Sequence, residues 1–183
     1  MAVDFGADAL GFVFWPGSPR FIDPFRARLV VARLPPLVGV VGVFVDQPAD
    51  YVNGVAALAH LTAVQLHGGE DPAYAAAMTR PVIKAVNGAA AGEAGWPDPV
   101  TLLVDAHDLE KRGGTGRLAD WSEAARVARS RRVLLAGGLT ADNIKSAVAQ
   151  VRPFGVDVSS GVESSPGIKD RNRMAAFFKV VRP

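Results

Sequence analysis

A carboxylate stands at the end of an apolar run in the middle of this 183-residue sequence. Residues 102–104 are β-forming and apolar, and Asp105 follows them directly. A buried strand that ends on an acid is typical of α/β barrels, where the strand holds the side chain rigidly at its carboxyl end. We expect a partly desolvated Asp105 to hold a proton near neutral pH and to act as a general acid. The alternative is an N-cap, or a salt bridge with Lys111 or Arg112.

A glycine-rich stretch comes shortly after this acid. It lacks the Gly-Lys-Ser/Thr ending of a P-loop, so nucleotide binding is rejected. We interpret the stretch as a mobile flap over Asp105. Its residues are Gly113, Gly114, Thr115 and Gly116.

Four further polar side chains lie in or directly after other apolar runs, and we take them as candidate substrate-binding residues. Arg20 comes after Ser-Pro, and its planar guanidinium suits a carboxylate, although many loop arginines are only solvated. Gln65 and His67 are two residues apart, so their side chains point the same way along a strand. They are predicted to bind substrate, with a structural hydrogen bond as the alternative for His67. Asp157 falls inside a predicted strand, where it either faces the substrate or caps a polar network.

Two small-residue turns near the carboxyl end could bind phosphate. Barrels usually bind phosphate after their last two strands, through backbone N–H groups that point at the anion. The alternative is that these glycines only form tight turns. The predicted phosphate-binding residues are Gly137, Gly138, Ser160 and Gly161.

Bulk composition narrows the class of protein. The sequence is 49% hydrophobic and 21% charged, which predicts a single domain over residues 1–183. A net charge of +2 is too small to indicate nucleic-acid binding. The longest apolar run, 37–45, is far short of the roughly 20 residues needed to cross a bilayer. We therefore expect a cytoplasmic protein without a membrane partner. Three scattered histidines and no cysteine predict no metal site.

Strand and helix signals alternate along the chain. This βα repeat predicts an α/β fold with a parallel sheet, either an open doubly wound sheet or a closed (βα)₈ TIM barrel. Polar residues follow nearly every strand, which favours the barrel. Predicted strands are 9–14, 38–45, 63–66, 82–86, 101–105, 133–136 and 155–159, and predicted helices are 24–34, 49–60, 72–79, 121–130, 141–150 and 171–181.

Several segments together are specific to one family. They read GADALGFVF (6–14), SPR (18–20), VQLHG (64–68), LVD (103–105), GGTG (113–116) with Trp121, LAGGL (135–139) and VSSGVE (158–163). In this order and spacing they resemble phosphoribosylanthranilate isomerases of tryptophan biosynthesis over essentially the whole chain. The resemblance implies a (βα)₈ barrel that performs an Amadori rearrangement on a small phosphorylated substrate, without cofactor or metal. It also implies that Arg20 binds the anthranilate carboxylate.

The sequence departs from the family pattern at its amino end. Family members begin with a strand reading roughly Lys-Ile-Cys-Gly, whose cysteine the resemblance assigns as general base. We expect the barrel to lack this first strand and most of the first helix, and hence the base. Turnover is then expected to be impaired. Unpaired strand edges would favour instability or a homo-oligomer.

Two other functions are weighed against this one. The first is a non-catalytic remnant of the same fold that binds a phosphorylated ligand. The second is another phosphate-binding barrel, such as an indole-glycerol-phosphate or ribulose-phosphate enzyme. The Ser-Pro-Arg and Gln-Leu-His-Gly segments argue against the second.

Overall fold

Two compact units make up the chain, residues 1–84 and residues 85–183. The computed structural model describes residues 1–87, 95–105 and 121–182. The predicted flap, Gly113, Gly114, Thr115 and Gly116, lies outside the described residues.

The first unit alternates parallel strands with helices. Its strands pair in chain order, with Ala9 opposite Gly39, Val41 opposite Ala63 and Val64 opposite Val82. Their carboxyl ends therefore lie along one edge of the sheet. The elements are β1 (Ala9–Val13), α1 (Pro24–Val31), β2 (Gly39–Phe44), α2 (Ala49–Leu58), β3 (Ala63–Leu66), α3 (Pro72–Ala76) and β4 (Val82–Asn87).

Aromatic and aliphatic side chains fill the core of this unit. Phe14 and Phe44 are fully buried, and their rings stack with centroids 5.3 Å apart. Leu66, at the end of β3, is also fully buried. These residues immediately precede the turns that carry the polar candidates, so dense packing fixes where each turn starts.

Aspartates begin two helices of the first unit. Asp23 accepts hydrogen bonds from the backbone N–H groups of Phe25 and Arg26, and Asp71 accepts one from Tyr74. A proline occupies the first turn of each helix, where its missing N–H costs no hydrogen bond. Both helices therefore begin at an Asp-Pro pair.

The second unit repeats the pattern and adds a hairpin. Leu102 pairs with Val133 and Leu134 with Gly155, so three parallel strands again follow chain order. An antiparallel hairpin then precedes the last helix. The elements are β5 (Thr101–Asp105), α4 (Ser122–Ala128), β6 (Val133–Ala136), α5 (Ile144–Val151), β7 (Gly155–Val156), β8 (Glu163–Ser165), β9 (Ile168–Lys169) and α6 (Arg171–Val181).

Element boundaries in the second unit differ from those predicted. Strand β7 ends at Val156 rather than at residue 159, so Asp157 follows the strand instead of lying inside it. Helix α5 begins at Ile144 rather than at residue 141. The Asn143 side chain accepts the Thr140 N–H and donates to the Gly138 carbonyl, which holds the preceding residues in a turn. The hairpin was not predicted, because its exposed polar strands carry no apolar pattern.

The parallel βα repeat confirms the predicted α/β class. Seven parallel strands occur among the described residues, at the seven predicted places. Within the described ranges, no helix combines the length and apolar character needed to cross a bilayer.

Capping of α1 can be tested by substitution. We expect Asp23→Ala to lower the free energy of unfolding by about 1 kcal/mol, because two backbone N–H groups lose their acceptor. Asp50→Ala is the matched control, since Asp50 lies in the first turn of α2 without being its N-cap. Urea unfolding of both variants checks this. Equal losses would mean that the cap contributes nothing beyond its charge.

Candidate active site

Arg20 lies in a tight loop at the carboxyl end of β1. The loop turns back so that Ile22 N–H donates to the Val13 carbonyl at 2.9 Å. Inside it, Arg20 N–H donates to the Ser18 hydroxyl at 3.1 Å. Arg20 is half-buried. The Ser-Pro-Arg segment therefore fixes the backbone from which the guanidinium extends.

Gln65 and His67 share one side of the end of β3, as predicted. The Gln65 side chain is buried, whereas His67 is exposed. Gln65 Nε2 lies 2.9 Å from His67 Nδ1. The Gln65 amide and the His67 ring are therefore hydrogen-bond partners. The contact sets the rotation of the imidazole at the end of β3.

The turn that follows, residues 67–70, is called the His67 turn. Gly69 N–H donates to Asp46 Oδ1 at 2.6 Å, and Gly68 N–H donates to Glu70 Oε2 at 2.9 Å. Asp46 itself has a φ of 50°, a left-handed conformation that aspartate tolerates better than most residues. The end of β2 thus holds the turn that follows β3.

A buried ion pair lies beneath the His67 turn. Lys84 Nζ is 2.7 Å from Glu70 Oε2 and 2.5 Å from the Gly68 carbonyl oxygen. Burial alone would raise the pKa of Glu70, but hydrogen bonds from Lys84 and the Asp46 N–H outweigh burial and lower it. Sequence reasoning missed this pair. Its signal was a lysine inside the apolar strand 82–87, where a charge requires a partner.

Tyr74 and Gln47 extend these contacts. The Tyr74 hydroxyl donates to the Gln47 carbonyl at 2.6 Å. Burial, and then the charges of Glu70 and Asp46, raise the pKa of the Tyr74 hydroxyl. Gln47 Nε2 in turn donates to the Phe14 carbonyl at 3.1 Å, where the Arg20 loop begins. Hydrogen bonds therefore connect the loops after β1 and β2 with helix α3.

Asp105 ends β5 in the second unit, as predicted. It is half-buried and pairs in register with Ala136, directly before Gly137. On the other side of β6, Asp157 N–H donates to the Leu135 carbonyl at 2.8 Å, and Asp157 is exposed. The carboxyl ends of β5, β6 and β7 therefore bring Asp105, Gly137 and Asp157 to one edge of this unit.

The predicted phosphate-binding turns lie at the same strand ends. Gly137 and Gly138 have φ values of 87° and 60°, which favour glycine. A Cβ on Gly161 would lie 1.8 Å from the Leu139 carbonyl oxygen, so only glycine fits there. An open cavity of about 460 Å³ is lined by Gly138, Ser160, Gly161, Asp142 and Arg173, among others. Gly137 and Asp105 do not line this cavity.

A second carboxylate–lysine pair supports the last turn. Glu163 is buried, and Lys169 Nζ contacts Glu163 Oε1 at 3.0 Å and the Ser159 carbonyl at 3.2 Å. The pair joins the β8–β9 hairpin to the residue before Ser160. Among the residues that the structure describes, no three His, Cys, Asp or Glu side chains are grouped as metal ligands.

Comparison with known proteins identifies similar chains. The family model described as N-(5′-phosphoribosyl)anthranilate (PRA) isomerase matches residues 1–180. The chain is 49% identical over 181 residues to the N-(5′-phosphoribosyl)anthranilate isomerase of Geobacter sp. strain M21, covering 97% of this chain and 88% of that protein.

Solved structures show the same likeness. The phosphoribosylanthranilate isomerase of Thermotoga maritima has a TM-score of 0.85 and 40% identity, covering 99% of this chain and 91% of that one. A phosphoribosylanthranilate isomerase in complex with reduced 1-(o-carboxyphenylamino)-1-deoxyribulose 5-phosphate (rCdRP) also has a TM-score of 0.85, with 38% identity over 99% of this chain and 90% of that one. These likenesses confirm the predicted fold class.

The buried carboxylate makes stability depend on pH. The pKa of Glu70 is lower in the folded state than its ordinary value of 4.5. Ionised Glu70 therefore stabilises the fold above pH 4.5, and this stability is lost as pH falls through the lower folded pKa. We expect the wild type to lose more stability than Glu70→Gln between about pH 6 and about pH 3.5.

Urea unfolding at both pH values measures the difference. Glu123→Gln is the control, because Glu123 is exposed and pairs with Arg126 at the surface. Its acid sensitivity should match that of the wild type. An unchanged acid sensitivity in Glu70→Gln would contradict the assignment.

Proposed function

This chain belongs to the PRA isomerase family, and we propose that it converts N-(5′-phosphoribosyl)anthranilate to 1-(o-carboxyphenylamino)-1-deoxyribulose 5-phosphate in tryptophan biosynthesis. The observation that carries the proposal is the family match over residues 1–180. The placement of Asp105 at the end of β5, next to the start of the Gly137 turn, supports it.

Asp105 acts as the general acid. The rearrangement begins when the ribose ring oxygen takes a proton and its bond to C1 breaks, which gives a protonated imine at C1. A base then removes the proton from C2, which gives the neutral enolamine. The enolamine becomes the ketone when C1 takes a proton and the C2 hydroxyl loses one. A half-buried carboxyl group held at the end of a strand suits the first step, because the strand fixes its position.

The general base limits turnover by this chain. The family resemblance assigns that role to a cysteine, and the 183-residue sequence has none. A positioned base contributes about 10²–10⁴-fold to a rate. We therefore expect weak isomerase turnover from the chain as given, while the groups that bind substrate are retained.

The remaining polar groups bind the substrate. Arg20 pairs with the anthranilate carboxylate through its guanidinium fork. His67, oriented by Gln65, forms a hydrogen bond with the sugar. Asp157, exposed after β7, faces the substrate amine. The backbone N–H groups of the predicted phosphate-binding turns, Gly137, Gly138, Ser160 and Gly161, bind the 5′-phosphate.

A non-catalytic phosphate-ligand-binding protein of the same fold is the second candidate. The absence of cysteine favours it. Both candidates bind rCdRP, and only the isomerase turns over N-(5′-phosphoribosyl)anthranilate. Action in the cytoplasm and self-association as a homo-oligomer stay predictions.

Two assays test the proposal. The first measures turnover of fresh N-(5′-phosphoribosyl)anthranilate by the loss of its fluorescence. The second measures the affinity for rCdRP by calorimetric titration. We expect Asp105→Asn to reduce turnover at least about 100-fold, because the acid that opens the ring is lost. Its affinity for rCdRP should remain within a few-fold of wild type. Asp98→Asn, an exposed aspartate in the same unit, is the control. Binding of rCdRP without any wild-type turnover would support the second candidate instead.

Adding a methyl group at residue 161 tests whether this turn binds the 5′-phosphate. We expect Gly161→Ala to weaken rCdRP binding by at least about tenfold, because the turn must move away from the Leu139 carbonyl. Gly54→Ala is the matched control, since a Cβ on Gly54 meets nothing within 4 Å. Titration of inorganic phosphate alone separates the phosphate contact from the rest of the ligand. Unchanged phosphate affinity in Gly161→Ala would rule out this turn as the site.

A further inference from the structure

The buried pair Glu70–Lys84 takes no part in the proposed chemistry, yet it contacts the turn that carries His67. We propose that Glu70 and Lys84 are positioning residues, which hold the His67 turn so that His67 meets the substrate in one orientation. This inference rests on the proposed function, because it concerns how that substrate is bound.

Both backbone polar groups of Gly68 are bonded to this pair. Its N–H donates to Glu70 Oε2, its carbonyl accepts from Lys84 Nζ, and Lys84 and Glu70 contact each other at 2.7 Å. These three contacts close a ring around one residue. Because donor and acceptor are both engaged, the backbone at Gly68 cannot rotate without breaking a buried, charge-assisted hydrogen bond.

The end of β2 fixes the same turn from a second direction. Asp46 N–H donates to Glu70 Oε1 at 2.8 Å, and Asp46 Oδ1 accepts from Gly69 N–H. A Cβ on Gly68 would lie 2.4 Å from Asp46 Oδ1, so the turn is pressed directly against this carboxylate. The strands on either side of β3 therefore hold the turn, β2 through Asp46, which follows it, and β4 through Lys84.

Positioning explains the pair better than stability does. Removing two charges from water costs free energy that their attraction often fails to recover, and apolar replacements of buried pairs are frequently as stable. The exposed fractions of the Lys84 and Glu70 side chains are only 6% and 2%. The pair instead fixes the orientation of the Gly68 backbone, because Lys84 donates to its carbonyl and Glu70 accepts from its N–H. Exposed His67, one residue earlier, donates its own N–H to the Phe44 carbonyl at 2.8 Å, and the bonding at Gly68 holds the chain on its other side.

Lys84→Met tests the inference through ligand affinity and local motion. We expect rCdRP to bind about tenfold more weakly, because His67 is then no longer held in one place. We also expect amide hydrogen exchange at Gly68 and Gly69 to become at least about tenfold faster. Arg80→Met is the matched control. Arg80 donates to the Leu61 carbonyl at 2.9 Å, at the amino end of β3 and β4. It should change stability but not rCdRP affinity.

A double variant separates positioning from the cost of an unpaired buried charge. Lys84→Met leaves Glu70 buried without this cation, whereas Glu70→Gln combined with Lys84→Met removes that charge. We expect the double variant to regain thermal stability but not rCdRP affinity. Recovery of affinity together with stability would overturn the inference, as would wild-type affinity in Lys84→Met. If wild-type protein does not bind rCdRP, the proposed function fails, and the exchange rates at Gly68 still report whether the pair holds the turn.

Discussion

Parallel pairing in chain order is the constraint on which the rest of the structure depends. Within each unit, consecutive strands pair side by side in the same direction, so the turns after them emerge at the same edge of the sheet. The apolar strands fix that edge by packing, as the stacked rings of Phe14 and Phe44 illustrate. Polar residues that are far apart in sequence are consequently brought to the same sheet edge. Arg20 and His67 follow β1 and β3 in this way, and Asp105 and Asp157 follow β5 and β7.

Carboxylate–lysine pairs in this protein bond to backbone groups of the functional turns. Glu70 and Lys84 bond to Gly68, while Glu163 and Lys169 support the residue before Ser160 through the Ser159 carbonyl. A turn at a sheet edge has few neighbours of its own, and hydrogen bonds from charged groups are stronger than those between neutral groups. Both units therefore use a carboxylate–lysine pair where a precise backbone position matters and apolar packing cannot supply it.

The sequence predicted what depends on local pattern and missed what depends on distant partners. All seven parallel strands follow from apolar runs, and they are confirmed. Strand β7 is shorter than predicted, because the apolar pattern does not mark where pairing with β6 ends. The pair Glu70–Lys84 was missed because its members belong to different elements and meet only through the register of β3 and β4. Candidate residues could be predicted from their position near strand ends. Their hydrogen-bond partners could not all be predicted, because some of those partners come from other elements of the fold.

The proposed reaction assigns binding and turnover to different parts of this chain. The groups proposed to bind substrate are backbone N–H groups at glycine turns and side chains held by neighbouring strands, and the described residues contain them. Each proton transfer, in contrast, is assigned to one positioned group, such as Asp105 at the end of β5. Substrate affinity and rate can therefore be lost independently, because affinity is distributed over many turns whereas a proton transfer depends on a single group. Loss of one acid or base should consequently lower the rate far more than it lowers the affinity for substrate.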